Sequence, residues 1–137
     1  MIEQFYGKYA WLSNFYPVKI EFEGITYPSV ENAYQAAKTD DVRIKIQIAE
    51  TPPATAKKIG KTLTPSHWRE EGHCLRIMKE LLRIKFSDPE LKQRLIDTGI
   101  QELVEGNYWG DTYWGTYRGK GWNHLGHLLM EVRAEIR

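Results

Sequence analysis

Apolar and polar residues alternate near the start of the chain, and this pattern predicts a β-hairpin. The alternation covers residues 18–22, Glu23-Gly24 supplies a tight reversal, and residues 25–27 continue as a second strand. Residues 2–6 predict a further short strand. We therefore expect a small sheet in the N-terminal part of the chain.

Helical patterns account for most of the remaining chain. Ser29 is the expected N-cap of a first helix, with Val30, Ala33 and Ala37 as its buried stripe. Residues 40–50 alternate like a strand but lie between helices, and we interpret them as a helix. Other predicted elements are helices over 52–60, 67–85 and 89–98, a short strand at 103–104, and a last helix from Asn123.

Together these elements predict the α+β class: a helix-dominated fold with a small N-terminal β-hairpin sheet. The length of 137 residues suits one domain over residues 1–137. A chain of this size buries enough surface to fold without disulfides or a structural metal. We expect Cys74, the single cysteine, to be a small core residue.

The composition excludes several classes of protein. Hydrophobic residues make up 42% and charged residues 27%, which is typical of a folded domain, and no apolar run is long enough to cross a bilayer. The formal net charge of +1 gives no long-range attraction for nucleic acid, so a nucleic acid would have to be held by a local site. The lone cysteine and the lack of a secretory leader favour the cytoplasm.

Aromatic residues are concentrated in two windows, residues 5–16 and 108–122. Gly, Asn, Ser and Pro interrupt both windows, which predicts loops or short strands, and residues 106–121 are expected to form one long structured loop. These rings either cover the ends of the core or stack against a flat ligand such as a nucleobase. The pattern leaves both readings open.

Glu31, Gln35 and Lys38 are spaced to share one face of the first helix. Such a stripe is either a solvated helix face or a chemical site. In the second case the carboxylate serves acid/base catalysis and the amine serves as a nucleophile. Because about 10 Å of helix rise separates the ends of the stripe, only long side chains that converge on one ligand would act together.

The glycine-rich loop is a second candidate, with Asn107, Asp111 and Asn123 as its polar residues. Its alternative interpretation is a rigid loop in which Asn123 simply caps the last helix. His124 and His127 lie three positions apart but lack further ligands nearby, so no metal site is predicted. Nucleophile-elbow and phosphate-loop motifs are absent from the sequence.

Several motifs occur in an order that resembles the NADAR or YbiA-like family, from about Phe5 to Arg133. They are Leu12-Ser13-Asn14-Phe15-Tyr16-Pro17, Ser29-x-Glu31-x-x-Tyr34-Gln35-x-x-Lys38, Trp68 with Arg76 and Met78, Lys85-Phe86, Thr98-Gly99, Asp111-x-x-Trp114-Gly115 and Gly121-x-Asn123-x-Leu125-Gly126-x-x-Leu129-Met130-x-x-Arg133. The resemblance implies a mostly helical α+β domain of the YbiA-like fold.

The same resemblance implies a metal-independent N-glycosidase, a hydrolase of ribosyl C–N bonds that uses no cofactor. Glu31 would be its catalytic carboxylate, and Lys38 would form a Schiff base with a ring-opened ribose. Lys38 must be neutral to attack carbon, which requires burial or a cationic neighbour. Arg76 and Lys85 are candidates to meet phosphate.

The substrate-binding residues that the resemblance implies fall into polar contacts and stacking rings. Trp68, Trp109 and Trp114 would supply the rings, with Trp109 as an extra beside the family motif. The full set is Ser13, Asn14, Phe15, Gln35, Trp68, Trp109, Asp111, Trp114 and Asn123.

Three functions are compatible with these residues. The first, which we favour, is removal of ADP-ribose from ADP-ribosylated guanine in nucleic acid, with the modified nucleic acid held through a local site. The second is the same chemistry on early riboflavin-pathway intermediates, and the third is a non-catalytic ADP-ribose or nucleotide-binding module. We expect neither a membrane nor an obligate protein as partner.

Overall fold

A computed structural model describes all residues, 1–137. Helices predominate and every strand is short, so the predicted helix-dominated α+β class is confirmed. The chain divides into two compact units. One unit combines Met1–Ser13 with Phe86–Arg137, and the other is continuous from Asn14 to Lys85. The single domain expected over residues 1–137 stays a prediction.

The continuous unit, Asn14–Lys85, carries the predicted hairpin and four α-helices. The hairpin is antiparallel, with Ile20 opposite Tyr27, and its presence confirms the alternating pattern. The helix expected between residues 40 and 50 is also confirmed. The elements are β1 (Ile20–Phe22), β2 (Ile25–Tyr27), α1 (Val30–Ala36), α2 (Val42–Ala49), α3 (Pro53–Lys61), a 3-10 turn (Glu70–Gly72) and α4 (His73–Lys85).

Helix α1 lies at the centre of this unit. Ser29 begins it as predicted, because its side chain accepts a hydrogen bond from the Asn32 backbone N–H at 3.1 Å. The Asn32 amide donates to the carbonyls of Ile48 and Thr51, both at 2.8 Å, and so ties α1 to the end of α2. Helices α2, α3 and α4 all pack against α1, which leaves it without a solvated face.

The other unit holds the two chain ends and the aromatic loop. Ile2 pairs in parallel with Leu103, and two two-residue strands are also parallel, with Gly106 beside Thr116. Its elements are a 3-10 helix (Gly7–Leu12), α5 (Pro89–Asp97), β3 (Gly106–Asn107), β4 (Thr116–Tyr117) and α6 (His124–Ile136). No helix of the structure is long and apolar enough to cross a membrane.

Several predicted boundaries are wrong. Residues 2–6 form no strand beyond the single bridge at Ile2, and the first aromatic window contains a 3-10 helix where loops or strands were expected. Helix α4 begins at His73 rather than near residue 67, because Glu71 and Gly72 have φ values of 51° and 70°, which interrupt a right-handed helix. Helix α3 passes through Gly60 instead of ending there.

Candidate active site

Two of the three residues of the predicted stripe, Glu31 and Gln35, lie on α1 and are buried. Only 7% of Glu31 and 5% of Gln35 is exposed to solvent. The alternative of a solvated helix face is therefore wrong for these two residues. A carboxylate rarely stays buried unless hydrogen bonds or charges compensate the lost hydration, which makes Glu31 a candidate site residue. Its catalytic role stays a prediction.

Gln35 holds the Glu31 carboxylate from one helical turn away. Its Nε2 donates to Glu31 Oε1 at 2.9 Å. The other amide atom, Gln35 Oε1, is buried and has no hydrogen-bond partner within the protein. It lies against Gly60 of α3, where a Cβ atom would come within 1.8 Å of it. The backbone N–H of Glu31 donates to the Asn14 carbonyl at 3.0 Å, so the start of the unit is fixed at the same place.

Lys38 lies just beyond α1, in the turn after the helix ends at Ala36, and not on the helix as predicted. Its Nζ donates to Thr64 Oγ1 at 3.0 Å. The same nitrogen is 5.6 Å from the centre of the Tyr34 ring and 5.9 Å from that of Trp68, within the range of cation–π attraction. The amine is thus bordered by one hydroxyl and two aromatic rings.

The surroundings of Lys38 lower the pKa of its ammonium group. Desolvation by burial is the largest cause, and the positive charge of Arg69 acts in the same direction. Glu31 and Cys74 oppose the shift. Burial and a cationic neighbour, the two conditions named above, both act in the direction that favours the neutral amine. The nucleophilic role of Lys38 stays a prediction.

Tyr34 and Trp68 form the aromatic wall beside this amine. Trp68 Nε1 donates to Tyr34 Oη at 2.6 Å, and the two rings meet edge to face with centres 5.5 Å apart. Burial raises the pKa of the Tyr34 phenol, so the hydroxyl stays protonated. Trp68 is buried beside the candidate nucleophile, and its role in stacking a substrate ring stays a prediction.

The remaining predicted residues of this unit have mixed exposure. Asn14 is buried with its Nδ2 3.6 Å from the Met78 sulfur, and its Oδ1 has no hydrogen-bond partner, whereas Phe15 is 39% exposed. Arg76 donates to the Glu71 carbonyl. Lys85 is completely buried, with its Nζ 5.8 Å from the centre of the Tyr16 ring.

Ser13, Trp109, Asp111, Trp114 and Asn123 belong to the other unit. Asp111 Oδ1 accepts the backbone N–H groups of Tyr113 and Trp114, at 3.0 and 2.9 Å, which makes the loop rigid. Asn123 occupies the N-cap position of α6, as the alternative interpretation held, but its side chain forms no capping bond. Its Oδ1 accepts the Glu105 N–H at 2.9 Å and its Nδ2 donates to the Leu103 carbonyl at 3.0 Å. Trp109 is half exposed. Contact of this set with substrate stays a prediction.

Sequence reasoning missed Thr64, Gly60 and Tyr34 as parts of the candidate site. Tyr34 was in the quoted motif, but nothing in the sequence places Thr64 beside Lys38. No three His, Cys, Asp or Glu side chains lie close enough together to hold a metal ion.

Comparison with known proteins matches the NADAR domain model to residues 4–137. The chain is 35% identical over 132 residues to N-glycosidase YbiA of Escherichia coli (strain K12), covering 93% of this chain and 82% of that protein. It is also 35% identical over 134 residues to riboflavin biosynthesis protein VVA0006 of Vibrio vulnificus (strain YJ016), but spans only 36% of that protein's length.

The fold is similar to the NMR structure of E. coli YbiA, with a TM-score of 0.82 and 33% identity over 98% of this chain and 86% of that one. The predicted YbiA-like fold is therefore confirmed. The prediction of a hydrolase acting on N-glycosyl bonds is confirmed at the level of the family, since relatives matched over most of their length are named N-glycosidases. The chain belongs to the NADAR family.

Proposed function

We propose that Glu31 and Lys38 hydrolyse the bond between C1 of a ribose and a nitrogen of a nucleobase-like ring. The observation that carries this proposal is the pairing of a buried, amide-bonded carboxylate with an amine whose pKa is lowered mainly by burial. The negative charge of Glu31 acts on the Lys38 ammonium and opposes the lowering of its pKa, but burial outweighs it. A binding module would have no need to bury either group.

In the direct route the carboxylate of Glu31 faces the positive charge that develops on C1 as the C–N bond breaks. Water adds its oxygen to C1, and one proton of that water ends on the departing ring nitrogen. The carboxylate carries the proton between them. The products are the free base and a ribose with a hydroxyl at C1.

Lys38 adds a covalent alternative. Its neutral amine attacks C1 of the ring-opened sugar, the base leaves with one proton, and an imine joins C1 to Nζ. Water then hydrolyses the imine, which restores the amine and releases the same ribose. Both routes consume one water and give the same products, and they differ in whether a reductant can trap the sugar on Lys38.

ADP-ribosylated guanine in nucleic acid is the first substrate candidate. The rings of Tyr108, Trp109 and Trp122 are 80, 50 and 70% exposed, and Arg118 and Lys120 lie in the same loop. A loop that carries both exposed rings and cations suits a strand whose bases stack and whose phosphates are negative. This composition makes the loop, within its own unit, a candidate surface for nucleic acid.

Early riboflavin-pathway intermediates are the second candidate, and the names of relatives favour them. The match to riboflavin biosynthesis protein VVA0006 is one case, and the match to riboflavin biosynthesis protein PYRR, chloroplastic, of Zea mays is another, at 34% identity over 146 residues. The chain covers 23% of the maize protein, so its name describes a much longer chain. Such a substrate would need the same carboxylate and amine.

The test is to incubate the protein with an ADP-ribosylated guanine oligonucleotide and, separately, with a riboflavin-pathway ribosylamine, and to quantify released base and sugar by mass spectrometry. Glu31→Gln is expected to lower release by about 10²- to 10⁴-fold. The exposed Glu21→Gln is the matched control and should behave like wild type. Release that survives Glu31→Gln, or binding of both substrates without release, would overturn the proposal.

A further inference from the structure

We propose that the last turn of α3 and the residues just after it position both chemical groups of the site, through Gly60 and Thr64. This inference rests on the proposed function, because it assigns positioning roles around Glu31 and Lys38. Two separate series of contacts lead from one backbone position, Gly60, to the carboxylate and to the amine.

The first series of contacts runs from Gly60 through Gln35 to Glu31. A Cβ at position 60 would lie 1.8 Å from Gln35 Oε1 and 2.5 Å from Cδ, so only glycine leaves room for the amide in this orientation. With Oε1 directed at Gly60, the opposite atom, Nε2, faces Glu31 Oε1 at 2.9 Å. Because Oε1 is buried and unpartnered, the amide sits where α3 allows it and not where it would gain a second hydrogen bond.

This geometry makes Gln35 a positioning residue and not a substrate contact. The buried side-chain oxygen is closed off from solvent and directed at α3. The side chain's one hydrogen bond within the protein is the one that Nε2 donates to the Glu31 carboxylate. The bond holds one carboxylate oxygen in place, and the other oxygen keeps its orientation as a consequence.

The second series of contacts runs from the Gly60 carbonyl through Thr64 to Lys38. Thr64 Oγ1 donates its proton to the Gly60 oxygen at 3.1 Å. The hydroxyl then has only lone pairs left, so it must accept from Lys38 Nζ, which lies 3.0 Å away. The direction of this bond is therefore fixed, and it holds the amine above the Tyr34 ring.

The experiment compares Gly60→Ala, Gln35→Met and Thr64→Val on the substrate that wild type cleaves. Gly60→Ala should fold, because the two atoms closer than 3.0 Å to the added Cβ, Oε1 and Cδ, belong to the end of the Gln35 side chain, while Gln35 Cβ at 3.0 Å requires only a small shift. We expect kcat to fall by about tenfold or more in all three variants with little change in KM, since misplaced groups act in the transition state. Thr62→Val is the matched control: the Thr62 hydroxyl also donates to a backbone carbonyl of α3, that of Ile59, but in the exposed part of the turn.

The decisive part of the test is to show that the two series of contacts act separately. Gln35→Ala removes the amide and leaves only the Cβ–Cβ contact at 3.0 Å, so adding Gly60→Ala should then cost much less than it does in wild type, and the two effects are strongly non-additive. Borohydride trapping of a sugar on Lys38 should fall in Thr64→Val and recover in Thr64→Ser, but stay close to wild type in Gln35→Met. Additive effects, or trapping that ignores the Thr64 hydroxyl, would overturn the inference.

A spectroscopic measurement keeps this inference distinct from the proposed function. The Gln35 side-chain amide resonance should move when Glu31→Gln is introduced into wild type, and should not move when it is introduced into Gly60→Ala. This result needs no turnover, so it tests the contacts from Gly60 through Gln35 to Glu31 even if every substrate tried is left intact. An amide resonance that moves equally in both backgrounds would contradict the role of Gly60.

Discussion

Trp68 and Tyr34 lie 34 positions apart in sequence but share a buried hydrogen bond of 2.6 Å, with the indole N–H donating to the phenol oxygen. The phenol therefore does more than fill space in α1. It satisfies a donor that would otherwise be buried without a partner, and it presents a ring beneath Lys38 Nζ.

Tyr34→Phe is expected to destabilise the protein by about 1–3 kcal/mol, because it leaves the Trp68 N–H buried and unpaired. Urea denaturation monitored by tryptophan fluorescence measures the loss. Tyr6→Phe, at a side chain that is 48% exposed, is the control and should change little. Equal stabilities for the two variants would show that the indole finds another acceptor.

The increase in aldehyde reactivity that a lysine shows with rising pH should begin at a lower pH for Lys38 than for an ordinary lysine. The pKa of Lys38 is lowered, first by burial, so its neutral fraction is larger below the usual value of about 10.4. Cyanoborohydride labelling with ribose 5-phosphate over about pH 6–11, followed by peptide mapping, gives the extent of Lys38 labelling at each pH. Exposed Lys120 serves as the internal reference. A Lys38 profile that coincides with that of Lys120 would contradict the expected reactivity.

The same lowered pKa has a consequence for stability. Because the folded-state pKa lies below the unfolded value of about 10.4, the unfolded chain binds more protons between those two values, and wild-type stability rises with pH through that window. The advantage of Lys38→Met over wild type should therefore be largest below the window and shrink toward about pH 10. Denaturation midpoints of both proteins at several pH values test this. An advantage that grows with pH would reverse the sign.

Asn107 holds the aromatic loop together. Its amide donates to the carbonyls of Asp111 and Thr116 at 2.8 and 3.0 Å, and its oxygen accepts the N–H groups of Gly110 and Asp111 at 3.1 and 2.9 Å. Asn107→Ala should cost about 2 kcal/mol and expose the loop to protease.

Limited trypsin digestion at Arg118 and Lys120 measures this loosening, because both residues are exposed and lie within the loop. Thr112→Ala, an exposed substitution in the same loop, should be cleaved no faster than wild type. If Asn107→Ala resisted trypsin as well as Thr112→Ala does, the amide would not be what orders the loop.

Local patterns were sufficient where the governing interactions are local. The hairpin follows from alternation across a two-residue reversal, and the start of α1 follows from Ser29, whose cap bond reaches three residues along the chain. Residues 42–49 alternate like a strand, but the helices on either side predict a helix, and a helix is what they form. The start of α4 was missed because the positive φ at Glu71 is a conformation that a glutamate seldom adopts.

Motifs along the chain are enough to predict the family, the helix-rich class and Glu31 and Lys38 as the chemical groups. The burial of Glu31 is not visible in these motifs, since enclosure of α1 depends on three other helices. Only the tertiary structure decides which hydroxyl meets the amine, because Lys38 and Thr64 are 26 residues apart and their contact exists only once α3 packs on α1. Spacing along one helix predicts a shared face, but the neighbours of that face are set by long-range packing.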